Sequence, residues 1–175
     1  DQQDFAAIAA VVAQHRQPRR DDGLFWSDLA DPRPFLDRVA HDGPPDAMIV
    51  LSGVTPATGA DLSLNVSLPL WAYRAARAAG VRRVLVASSS AVYGAGRGEP
   101  MDEESPLDPV NDYGRAKAAM EKALLAETGP ELCLMRIGNV AGADALLLNL
   151  AAAGDQPLVI DRFADGRGPL RSYIG

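Results

Sequence analysis

The chain contains one cysteine among 175 residues, Cys133, which excludes an internal disulfide framework and a zinc site built from several thiolates. A lone thiol fits a reducing compartment, where it behaves as a small hydrophobe, so the expected location is the cytoplasm. Long apolar runs are missing too. Charged or polar residues interrupt every candidate short of the roughly 20 residues that a bilayer-crossing helix needs, and no charged segment followed by an apolar one marks a secretory leader. Positive charge is in deficit, with 17 Lys and Arg against 23 Asp and Glu, a net charge of −6. Without a basic field, neither nucleic acid nor an anionic membrane is an expected partner, although a small anionic ligand gripped by local groups is compatible.

What is present is the composition of a globular protein. Hydrophobic residues make up 47% and charged residues 23%, enough apolar mass for a packed core, and the length is that of one ordinary domain. The first residue is Asp1 rather than Met, which leaves an upstream start open.

Along the chain, short apolar runs alternate with helical patterns. Phe5 to Gln14 is Ala-rich and reads as a buried helix, and Gly23 to Trp26 as a short strand. A helix is predicted from Pro32, with Phe35, Leu36 and Val39 on one face. Ala47 to Leu51 (AMIVL), bounded by Pro44-Pro45 and Gly53, reads as a strand buried on both faces. Then follow a helix over Leu62 to Ala79, a strand over Arg83 to Ala87, a helix over Asp112 to Thr128, a strand over Leu132 to Ile137 and a helix over Ala143 to Ala153. The tail after Asp155 adds a short strand candidate, Leu158 to Ile160. Strict alternation demands crossover connections, so the expected fold is α/β, a doubly wound parallel sheet. The stretch Gly94 to Asn111, with Pro100, Pro106 and Pro109, is long for a connection and reads as a loop over a site.

Ligands of open α/β sheets bind beyond the carboxyl ends of the strands, so the residues following each apolar run carry the functional information. Arg83 to Ala87 runs directly into Ser88-Ser89-Ser90-Ala91-Val92-Tyr93-Gly94. Such a serine cluster is also ordinary turn chemistry. Downstream, Tyr113 and Lys117 stand four residues apart at a helix start and share one face. A phenol titrates near 10 and must fall by about three units, roughly 4 kcal/mol, to act as a base at neutral pH. A neighbouring ammonium in a poorly solvated site supplies part of that, and a serine hydroxyl facing the phenol would hold the substrate oxygen.

The strings LVASSSAVYG, MDEESPLDP, NDYGRAK and LMRIGNVAG, in that order, resemble the extended short-chain dehydrogenase/reductases, the NAD-dependent epimerase/dehydratase group that acts largely on nucleotide sugars. The resemblance implies a Rossmann-like sheet and a cofactor, NAD or NADP with NAD favoured. It implies Ser89 as the catalytic serine that also meets substrate, with Ser90 beside it. Tyr113 would be the general acid/base, and Lys117 would bind the nicotinamide ribose while lowering the phenol's pKa. Asn139 resembles the residue contacting the substrate diphosphate, and it is equally a turn former. Ser52, Gly53 and Val54 match the strand-end loop under the cofactor. Asp28 and Leu29 match a pair beside the adenine, with Asp28 also readable as a helix-start residue. Asn65 matches a position that ties helix to active-site backbone and is read as structural. Arg171 resembles a substrate arginine, although Ser172-Tyr173 replaces the Asp-Phe that usually follows. A homodimer through the helices containing Asn65 to Ala79 and Tyr113 to Ala126 is a further expectation from the resemblance.

The family's glycine-rich phosphate loop, G-x-x-G-x-x-G after the first strand, does not occur in these residues. The fold is therefore expected to lack its first strand, with residues 1–155 as a partial dinucleotide-binding domain and 156–175 as the start of a substrate-binding region. Three explanations stay open: the residues belong to a longer chain, the product is truncated and inactive, or the first segment has been rebuilt. Two functions follow, an NAD(P)-dependent epimerase, dehydratase or reductase using Tyr113, Lys117 and Ser89, or a non-catalytic family member serving as a binding or regulatory module.

Overall fold

The computed structural model describes residues 11–17, 23–56, 59–95, 99–140, 162–168 and 173–174. Their elements are β1 (Gln14–His15), β2 (Leu24–Phe25), α1 (Arg33–Asp42), β3 (Ala47–Val50), α2 (Leu64–Ala78), β4 (Arg83–Ser89), a 3-10 turn (Ser90–Tyr93), α3 (Asp112–Leu125), β5 (Glu131–Ile137), β6 (Asn139–Val140) and β7 (Tyr173–Ile174). Every strand pair is parallel: β1 with β2, β3 with β4 and β4 with β5 in one sheet, and β6 with β7. The α/β reading with parallel strands is what the chain adopts.

Register fixes which side chains share a face. Met48, Val84 and Leu132 align, as do Val50, Val86 and Leu134, and the next pair on that face is Ser88 with Arg136. Along β4, Val84, Val86 and Ser88 are buried while Leu85, Ala87 and Ser89 are only partly so. The buried face packs on α2 and α3, where Ala72, Ala75, Ala76, Met120 and Leu124 complete the core. Each fully buried Val or Leu contributes about 1.5–3 kcal/mol. A satellite of this core stacks Trp26 on Phe35 of α1, ring centroids 5.3 Å apart, and the indole N–H donates to the Asp31 carbonyl at 2.8 Å.

Several sequence expectations change. Residues 11–13 are not helical and Gln14 begins β1, so the helix read over Phe5 to Gln14 fails at its described end. The pairing of Gln14 with Leu24 outweighs alanine's helix propensity there. Ala47 to Leu51 is not buried on both faces, since Ile49 is 63% and Leu51 72% exposed. The reason is that, among the described residues, α2 and α3 cover the face of Val84 and Val86 and leave the face shared by Ile49, Leu85 and Cys133 open. Cys133 is exposed on the same face as Ile49 and Leu85 rather than packed as a small hydrophobe. Helix α2 starts at Leu64, because Asp61 Oδ1 accepts from both the Ser63 amide and hydroxyl and holds a turn. Helix α3 ends at Leu125. The predicted helix over Ala143 to Ala153 and the strand over Leu158 to Ile160 lie outside the described residues. Among those described, no helix is long and apolar enough to cross a membrane.

The two helices behind the sheet are clamped where α3 ends. Glu127 accepts from Arg74 at 2.9 and 2.7 Å and from Arg77 at 2.9 Å, both on α2. Tyr73 OH donates to the Pro130 carbonyl at 2.9 Å. The Arg74 hydrogen bond, with Arg77 adding charge, holds the Glu127 carboxyl below its ordinary value. Its stabilising effect is therefore complete above the unfolded carboxyl value of about 4.3 and is lost as pH falls through the lower folded value. Glu127→Gln is expected to cost on the order of 1 kcal/mol in urea unfolding at neutral pH, and the gap to wild type is expected to close below about pH 4.

Candidate active site

The carboxyl ends of β3, β4 and β5 open into a cleft of about 290 Å³ lined by Gly53, Val54, Asn65, Ser88, Ser89, Tyr113, Lys117 and Gly138, among others. A larger hollow of about 410 Å³ lies elsewhere on α3, between Leu107, Lys122, Leu125 and Arg136. That hollow is walled mainly by apolar side chains and brings no hydroxyl to an amine. The chemistry converges in the smaller one.

Each wall has a local cause. Asn111 caps α3 by accepting from the Gly114 amide at 2.7 Å, which starts the helix so that Tyr113 and Lys117 occupy its first turns. Gly114 lets that helix approach the turn after β4, because a Cβ there would lie 2.5 Å from the Ala91 carbonyl oxygen. On the opposite wall, a Cβ on Gly53 would lie 2.7 Å from Asn65 Oδ1 and 3.5 Å from Lys117 Nζ. Asn65 is wholly buried and pairs twice with Val54, accepting from its amide at 3.0 Å and donating to its carbonyl at 2.9 Å. It serves as the tie between helix and strand-end loop that the sequence suggested.

Lys117 is 4% exposed, and Nζ donates to the Ala87 carbonyl at 2.8 Å. Its Nζ lies 6.0 Å from the centroid of the Tyr113 ring. Burial pushes the Lys117 ammonium below its ordinary lysine value, and the Glu121 carboxylate one turn along α3 opposes that shift. Ser89 Oγ accepts from the Ala91 amide at 3.2 Å, which leaves the hydroxyl hydrogen to donate. Ser88 points the other way: it is buried and donates to Glu121. The structure thereby separates Ser89 from its neighbours, since Ser90 is exposed in the 3-10 turn and does not line the cleft.

The remaining predicted residues divide. Gly53 and Val54 line the cleft, and Ser52 Oγ beside them is buried with no hydrogen-bond partner among the described residues. A buried hydroxyl in that condition is what a polar ligand group, or a water, would satisfy. Asn139 begins β6, just beyond Gly138. Asp28 is exposed and holds a turn through the Ala30 amide at 3.0 Å, and Leu29 is 8% exposed in the hydrophobic core. Neither lines the cleft. Arg171 lies outside the described residues. Sequence reasoning missed Glu121 and Arg136, which form an ion pair at 2.9 Å behind the cleft. The available signals were an acid at i+4 from Lys117 and one arginine inside an otherwise apolar strand.

The cleft thus brings together a buried amine, a phenol and hydroxyls at strand ends. No glycine-rich phosphate cradle occurs among the described residues.

The chain is 34% identical over 151 residues to a UDP-glucose 4-epimerase of Lactobacillus helveticus, a match covering 81% of this chain and 46% of that protein. It therefore spans less than half the length of that curated relative. Among solved structures, the Bordetella bronchiseptica enzyme WbmG in complex with NAD and UDP matches with a TM-score of 0.63 at 23% identity, over 79% of this chain and 46% of that one. RMD from Pseudomonas aeruginosa, complexed with NADPH, matches with a TM-score of 0.58 at 28% identity, over 72% and 46%. The model of the NAD dependent epimerase/dehydratase family matches residues 2–172, and the chain belongs to that family.

Proposed function

We propose that the chain carries the oxidoreduction site of a nicotinamide-dependent enzyme acting on a nucleotide sugar, with a UDP-hexose epimerisation as the reaction. The observation that carries this reading is the convergence of Ser89, Tyr113 and the buried Lys117 on one cleft. The UDP-glucose 4-epimerase name of the relative supports the choice of substrate.

In this reading Tyr113, as phenolate, accepts the proton of a sugar hydroxyl while Ser89 donates a hydrogen bond to the same oxygen. Lys117 stabilises the phenolate through its charge and reaches the ribose hydroxyls of the dinucleotide. An oxidised nicotinamide dinucleotide held by Lys117 and the loop of Gly53 and Val54 would supply the hydride exchange at that sugar carbon, taking hydride up from one face and giving it back to the other. Gly53 and Val54 line the cofactor side, with Ser52 beside them, and the exposed Asp28 is assigned to the adenine. Asn139 belongs to the substrate side. Residues 1–155 act as the dinucleotide-binding part and 156–175 open the substrate-binding region. A homodimer through α2 and α3, in the cytoplasm, completes the proposal.

Tyr113→Phe removes only the hydroxyl that moves the proton. Turnover of UDP-glucose is expected to fall by about 10²–10⁴-fold with unchanged thermal unfolding, and normal turnover would remove Tyr113 from its role. Calorimetric titration with NAD is expected to give saturable binding that Lys117→Met weakens. Absence of any binding to the wild-type protein would overturn the cofactor assignment.

A further inference from the structure

Behind the cleft, four polar side chains make one continuous network. Glu121, 1% exposed, accepts from the Ser88 hydroxyl and from the Arg136 guanidinium, with Nε 3.1 Å from Oε1 and Nη2 2.9 Å from Oε2. The third guanidinium nitrogen, Nη1, donates to Tyr93 OH at 2.9 Å and to the Glu103 carbonyl at 3.1 Å. Tyr93 OH in turn donates to the Asp102 carbonyl at 2.8 Å. The guanidinium also lies 5.0 Å from the centre of the Tyr93 ring. The network therefore runs from the end of β4, across β5, to the Pro-rich loop.

Its placement is specific. Ala87, Ser88 and Ser89 are consecutive: Lys117 holds the carbonyl of the first, Glu121 the hydroxyl of the second, and the third faces the cleft. Lys117 and Glu121 are one helical turn apart, so α3 grips the strand end at two adjacent points. A buried ion pair is weak support for a fold, because apolar groups of similar volume replace such pairs with little loss of stability. Its presence beside the reacting groups calls for another account.

We propose that Glu121 and Arg136 are positioning residues: they fix the end of β4 that presents Ser89, and through Tyr93 they fasten the loop over Asp102 and Glu103. This inference rests on the Tyr113–Lys117–Ser89 reading for its catalytic consequence, while its positional content stands apart from it.

The test replaces the network by apolar groups in the whole protein, as Ser88→Ala/Glu121→Leu/Arg136→Met, so that no buried polar group is left unpaired. The expected result is a wild-type unfolding midpoint, a kcat for UDP-glucose reduced at least about tenfold and a KM changed by less than about threefold. In hydrogen exchange, the Ala91 amide, bonded to Ser89 Oγ, is expected to lose protection while Val84 and Val86 keep theirs. A folded variant with wild-type kcat and unchanged Ala91 protection overturns the proposal. If the triple variant does not fold, Glu121→Gln decides, since it keeps an acceptor for Ser88 but loses the charge that holds Arg136; wild-type kcat and exchange in that variant likewise overturn it. Failure of the functional reading is separately visible as normal turnover in Tyr113→Phe, and the exchange measurement then still decides the positional claim.

Discussion

The hydrogen bond from Lys117 Nζ to the Ala87 carbonyl, at 2.8 Å, is the contact on which the site depends. It joins the first turns of α3 to the last residues of β4, two segments thirty residues apart. An ammonium this deeply buried is tolerated only where its hydrogens find acceptors and its charge has a use. Here one hydrogen is taken by backbone, and the charge lies close to a phenol. Everything else that shapes the cleft permits this approach. Gly114 allows the helix to meet the turn after β4, Gly53 leaves room for Asn65 and Lys117, and the Asn111 cap sets the helix phase that brings Tyr113 to the same face.

The apolar face of the sheet ends at the level of this contact. Val84 and Val86, beside Leu132 and Leu134, give way to Ser88 beside Arg136, and the core becomes polar within one step of the pleat. That step marks the boundary between residues that hold the fold and residues that can do chemistry. The clamp of Glu127 by Arg74 and Arg77 lies at the other end of α3, so the helix is secured at both ends, by surface charge at one and by buried hydrogen bonds at the other.

Much of this was legible in the residues because it is local. The spacing of Tyr113 and Lys117 places them on one helical face, and a strand running into three serines puts hydroxyls at a sheet end. Which serine faces the cleft was not legible from turn preferences. Strand alternation sends Ser88 toward α3 and Ser89 away, and Glu121 then takes Ser88. Glu121 and Arg136 escaped notice because their meeting depends on the register of β4 against β5, a long-range property. The segment around Gln14 misled for the converse reason: alanine-rich composition suggests helix, whereas pairing with Leu24 makes strand. Ile49 and Leu51 were read as core from a continuous apolar run, and their exposure arises because α2 and α3 cover the other face of the sheet among the described residues.

The central claim is that Lys117 is a buried amine at a dinucleotide site, and nuclear magnetic resonance of the protein carrying ¹³Cε-labelled lysine tests it most directly. The predicted result is a Lys117 signal that titrates below the ordinary lysine value and shifts when NAD is added. A Lys117 signal that titrates at the ordinary lysine value and does not respond to NAD would contradict it.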